Sequence, residues 1–204
     1  MEAAMRETYA DEAAARQRLE AAGLATVLVG AGAGGDMLAD GHLEGWAASL
    51  RDRGVAVEVV AGVLAQALTR QAAVWWACRV ARCEPGGGIA EAELPAVEAA
   101  EAWLRSPEQW RAYAANSSAE SVGLGTPAGC AALAAFLAGD SIAPSHLDAL
   151  APQPHLVGMA AAAAVELAAT RRPLDEGADA WGPLLAIGFA IATGDDSWQE
   201  SPVG

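Results

Sequence analysis

The sequence predicts an all-α fold: a single-domain, compact bundle of roughly six to eight helices around a central helix that carries two adjacent tryptophans. Alanine makes up about a quarter of the 204 residues and β-branched residues are sparse, which favours helix and leaves little from which to build a sheet. Between residues 57 and 82, Val60, Leu64, Leu68, Gln71, Trp75 and Cys78 recur at spacings of three and four, so one helical face collects the apolar bulk. Helix start and stop signals punctuate the remainder, with proline following Ser106 and Thr126 and glycine closing apolar runs at Gly139 and Gly194.

Residues 1–23 read as an exposed N-terminal helix with a narrow apolar stripe through Met5, Tyr9 and Leu19 and a C-cap at Gly23. Residues 24–35, LATVLVGAGAGG, form a glycine-rich connector, and residues 36–194 make the helical domain. That domain opens with one or two short helices that turn Leu43, Trp46 and Leu50 inward and close at Gly54. In the central element, over 57–82, Trp76 points about 100° away from Trp75, so both indoles can be buried only with neighbours on two sides. Each ring offers roughly 200 Å² of apolar surface, or on the order of 4–5 kcal/mol before entropy is subtracted, and removal of Trp75 is expected to threaten the fold.

Residues 84–91, EPGGGIAE, form a loop, and Pro95 opens a helix through Ala100 and Leu104. Ser106, Pro107 and Gln109 form a capping-box signal for the next helix, which carries Trp110 and Tyr113. The helix from Thr126–Pro127 runs through Leu133, Phe136 and Leu137, and its Ala128, Gly129, Ala131, Ala132, Ala134 and Ala135 permit close approach to neighbours. Residues 140–155 form a surface connector rich in turn residues. A helix over 156–170 follows, faced by Leu156, Met159, Ala163 and Leu167, then a last one through Leu184, Ile187, Phe189 and Ile191. Residues 195–204, with Trp198, form a loose C-terminal tail. The structural core is expected at Leu64, Leu68, Trp75, Trp76, Cys78, Trp103, Leu133 and Phe136.

A net charge of −14 repels phosphate backbones and anionic lipid, so neither nucleic acid nor a membrane surface is an expected partner. The longest apolar runs, 127–138 and 156–165, are shorter than the 18 or so residues of a membrane span. Three cysteines are an odd set without a disulfide framework, and the N-terminus lacks the apolar core of a secretory signal; a cytoplasmic protein with reduced thiols is expected.

Gly30, Gly32 and Gly35 satisfy the G-x-G-x-x-G spacing that lets backbone approach a pyrophosphate. No further strands follow to complete a parallel sheet, and Gly41 and Gly45 break the helix that would receive the phosphates, so a flexible linker is the preferred reading and no cofactor is expected. Asp36, Asp40, His42 and Glu44 could gather a cation but read as a solvated polar turn, and no metal site is expected. His42, His146 and His155 all fall in predicted turns and no catalytic residue is expected. Arg79 and Arg82 could clamp an anion, although pairing with Glu98 or Glu101 is the simpler reading; Cys78 reads as a small core residue.

The run AVWWACRVAR, with VLAQAL before it and EAAEAWLRSPEQWRAYA and GLGTPAGCAALAAFLAGDSIAP after it, resembles an uncharacterised family of mostly helical bacterial proteins over residues 57–194. In that family's pattern Gln66 stands where the family has histidine and Thr69 where it has proline, which marks Thr69 as the place for a break in the central element and removes any family role for the histidine. The resemblance carries an association with contractile, type VI-like secretion systems. The expected function is a non-catalytic protein-interaction protein, an adaptor, accessory or scaffold factor whose partner is another protein; a homo-oligomer is compatible with it. The alternatives are a nucleotide-binding protein or enzyme using the glycines at 30–35, and an acidic immunity or antitoxin-like inhibitor.

Overall fold

The computed structural model describes residues 12–24, 49–50, 52–83, 88–173 and 179–196. Eight helices lie among these residues: α1 Glu12–Ala21, α2 Val57–Ala67, α3 Arg70–Arg82, α4 Leu94–Arg105, α5 Gln109–Val122, α6 Pro127–Leu137, α7 Leu156–Thr170 and α8 Gly182–Thr193. The protein is an all-α bundle, with no strand among the described residues.

The expected central element is two helices. Leu68 and Thr69 take extended backbone, with ψ of 155° and 165°, and the Thr69 hydroxyl accepts from the Ala72 amide at 3.3 Å to start α3. The break resets the helical phase, and a periodicity counted straight through from Val60 to Cys78 therefore misassigns the inner face. Trp76 is fully buried, and its indole N–H donates to the Leu184 carbonyl at 2.9 Å. Trp75 and Gln71 instead share an outward stripe with Arg79 and Arg82. Trp75 is partly buried, packs against the core from outside it, and donates to Asp196 at 3.0 Å. The expectation that Trp75 lines the core face is corrected by this geometry.

Two helices share the centre. α3 packs against α4, α6, α7 and α8, while α6 packs against α3, α4, α5 and α7. The Thr126 hydroxyl caps α6 by accepting from the Gly129 amide at 3.0 Å, and the helix buries Ala128, Gly129, Cys130, Ala131, Ala132, Ala134 and Ala135. Leu64, Leu68, Cys78 and Trp103 are buried, whereas Leu133 and Phe136 are partly buried against the core. Such small faces bring helix axes together, so backbone and neighbouring side chains fill space that large residues otherwise occupy. At Gly188 of α8, an added Cβ would lie 2.6 Å from Trp76 Cε2 and 2.7 Å from a Leu64 methyl. Only glycine lets α8 sit on that indole.

α7 follows the same rule and reverses its expected face. It buries Val157, Gly158, Ala160, Ala161, Ala164, Val165, Ala168 and Ala169 against α2, α3 and α6. Met159 is exposed, and Leu156, Ala163 and Leu167 are half-buried. The close approach excludes bulk: a Cβ on Gly158 would lie 2.7 Å from the Gln66 amide.

A smaller apolar cluster joins Leu19, Leu50, Val60 and Val63, with Leu24, Val55, Val59 and Phe189 packed on it. α1, expected to be exposed, is docked on α2 through buried Ala15 and Leu19, and Arg18 donates to the Leu68 carbonyl at 3.1 Å. Full burial of one such leucine contributes about 1.5–3 kcal/mol. Gly23, Gly54 and Gly194 take positive φ of 74°, 77° and 81° where helix ends were expected.

Candidate functional site

The glycines at 30, 32 and 35 and the Asp36, Asp40, His42 and Glu44 cluster lie outside the described residues, as do Met5, Tyr9, Leu43, Trp46 and Trp198. Among the described residues, no three His, Cys, Asp or Glu side chains are grouped so as to hold a metal ion. His146 is exposed on the connector, while His155 precedes α7 and its carbonyl accepts from the buried Gln66 amide at 3.0 Å. No hydrogen bond among the described residues joins the two histidines.

The arginine pair is divided between two carboxylates. Arg82 grips Glu101 through two bonds, Nε to Oε1 at 2.6 Å and Nη2 to Oε2 at 2.9 Å. The hydrogen bond to Glu101 holds the Arg82 guanidinium above its ordinary pKa. Arg79 faces Asp196 at 3.2 Å and lies over the Trp75 ring, 5.7 Å from its centroid. Asp196 thereby ties the first residues beyond α8 back to α3. Glu98 takes neither arginine. Cys78 is fully buried, and burial, then the charge of Glu101, pushes its thiol far up, against a smaller opposing effect of Arg82. The thiol is a small core group closed off from solvent. Cys130 is also buried and raised by desolvation, and Cys83 is exposed.

The described surface is most elaborately built where α5 meets the connector between α6 and α7. Gln109 does not close a capping box with Ser106. Its side chain crosses to the connector instead: Oε1 accepts from the Asp140 and Ser141 amides at 2.7 and 3.1 Å, and Nε2 donates to the Ser141 carbonyl at 2.7 Å. One turn along α5, the Tyr113 hydroxyl donates to the Ala143 carbonyl at 2.8 Å. The connector is also closed on itself, since buried Ser141 accepts through its hydroxyl from the Ala143 and Leu150 amides at 3.1 and 3.0 Å. The Ile142 amide donates to the Leu150 carbonyl at 2.9 Å.

This bracing fixes the loop while two leucines point to water, Leu147 at 60% exposure and Leu150 at 58%. Trp110, on the same helix as the bracing residues, is 58% exposed. It is held by its N–H to Glu108 at 3.0 Å and by the Arg111 guanidinium, 4.4 Å from the ring centroid. The same Glu108 carboxylate accepts from Arg111 at 3.3 Å and Ser106 at 3.2 Å, and these bonds hold its pKa below the usual carboxylate range. The arrangement presents ordered apolar and aromatic surface, and offers no acid–base or nucleophilic pair.

Sequence reasoning singled out neither Leu147 nor Leu150. The available signal was two leucines inside a proline-punctuated connector, without the helical periodicity that would have assigned them a core partner.

Among the described residues no helix is long and apolar enough to cross a membrane. The model of the family of unknown function DUF6931 matches residues 46–192, and the chain belongs to that family. No curated protein and no solved structure matches the chain.

Proposed function

We propose that this member of the family is a non-catalytic protein-interaction protein, an adaptor, accessory or scaffold factor that docks another protein. The braced connector carries the reading: Leu147 and Leu150 are held outward on backbone that is bonded from within at Ser141, Ala143 and Leu150. Ordering a contact side chain on association costs about 0.5–1.5 kcal/mol, and a loop ordered beforehand avoids part of that cost. The Trp110–Arg111 pair adds the residue types that dominate interface energetics. A net charge of −14 favours a partner with a basic rim. The reading includes a reducing cytoplasmic setting, which the three unpaired cysteines support. The association with contractile secretion systems makes components of such an apparatus the first partners to seek.

Affinity isolation of tagged protein from its own cells is expected to recover one partner in stoichiometric amount. The Leu147→Ser, Leu150→Ser double variant is expected to lose it while staying within about 1 kcal/mol of the parent in stability, because both side chains are already solvated. Recovery of no partner, or equal recovery with the double variant, contradicts the reading.

A further inference from the structure

A cavity of about 300 Å³ lies where the start of α3, the end of α4, the start of α5 and the end of α6 converge, lined by Arg70, Gln71, Trp103, Gln109, Gly139 and Asp140 among others. That volume is at the lower end of small-molecule sites. Its wall is fixed by the Gln109 brace to residues 140 and 141. Gly139 is confined there as well: a Cβ would lie 2.8 Å from the Ala112 methyl and 3.1 Å from Gln109 Oε1.

Three polar groups of the residues that line it have no partner among the described residues. The chain has 26 acidic and 12 basic residues, and Arg79, Arg82 and Arg171 each hold a carboxylate. Arg70 and the Asp140 carboxylate line one cavity, yet among the described residues neither pairs with the other or with anything else. Trp103 is only 3% exposed, and its buried N–H has no acceptor. Trp75, Trp76 and Trp110 all place theirs, on Asp196, the Leu184 carbonyl and Glu108. A buried indole N–H ordinarily finds an acceptor.

We propose that this cavity binds a free α-amino acid, with the carboxylate on Arg70, the Trp103 N–H as a further donor, and the ammonium on Asp140. A simple anion would meet the repulsion of Asp140 and a simple cation that of Arg70; a small dipolar molecule satisfies both. A polyphosphate has only one arginine to receive it in a strongly acidic protein. The site goes beyond the docking role and does not depend on the connector leucines engaging a partner.

Titration calorimetry of the full chain against each of the twenty common free amino acids, with acetate and ethylammonium as half-ligands, tests the assignment. At least one amino acid is expected to bind with Kd on the order of 0.1–1 mM, and both half-ligands at least about tenfold more weakly. Arg70→Gln and Asp140→Asn, both at exposed positions, are each expected to weaken that binding about tenfold or more without changing the melting transition. Trp103→Phe keeps the ring and is expected to weaken it several-fold; if that variant does not fold, the two charge variants decide. Absence of binding by every amino acid up to about 10 mM overturns the proposal. So does acetate or ethylammonium binding as tightly as the amino acid, or affinity unchanged in either charge variant.

Discussion

Around Trp76 and along the α5–connector edge, the chain solves opposite problems. At Trp76 the helices approach on glycine and alanine, and the polar atom of the indole is matched to a backbone carbonyl. At the connector edge, polar side chains brace the backbone while Leu147 and Leu150 are turned to water. Alanine and glycine fill most of the inner faces of α6 and α7, so side-chain size alone does not mark the inward face of either helix.

The sharpest way to break the first region is to add volume at its tightest point. Gly188→Leu is expected to cost about 3 kcal/mol or more, since neither the Trp76 ring nor Leu64 can move without disturbing α3 and α2. Urea denaturation measures it, and a loss below about 1 kcal/mol would show that α8 is only loosely seated. The second region should break locally and more mildly. Gln109→Ala removes three hydrogen bonds to residues 140 and 141, one end of which can return to water, and is expected to cost about 1–2 kcal/mol. Amide exchange should accelerate at residues 140–150 while α3 and α6 remain protected. Uniform acceleration across the bundle would mean that the connector is part of the core's cooperative unit.

The same contrast explains what could be read in advance. The all-α class followed from alanine and the scarcity of β-branched residues, and the start of α6 from Thr126 and Pro127, because these are local signals. Gly23, Gly54 and Gly194 were legible for the same reason. A periodicity counted through the break at Leu68 and Thr69 places Cys78 correctly inside but puts Gln71 and Trp75 on the inner face, where the structure has them at its edge. Side-chain size points to the wrong face of α7, because the helix turns Gly158, Ala161 and Ala164 inward. The bracing by Gln109 spans 31 to 32 residues of sequence, and no local pattern encodes its reach. The cavity at Arg70 and Asp140 was illegible for that reason too, being assembled from the ends of four helices.

The most direct test of a body closed about Trp76 is a pair of urea melts on two neighbouring positions. Trp76→Ala is expected to lose about 3–5 kcal/mol, through the cavity it leaves and the stranded Leu184 carbonyl. Trp75→Ala is expected to lose only about 1 kcal/mol, through its bond to Asp196 and its contact with Arg79. Equal losses, or a larger loss at Trp75, would contradict the account.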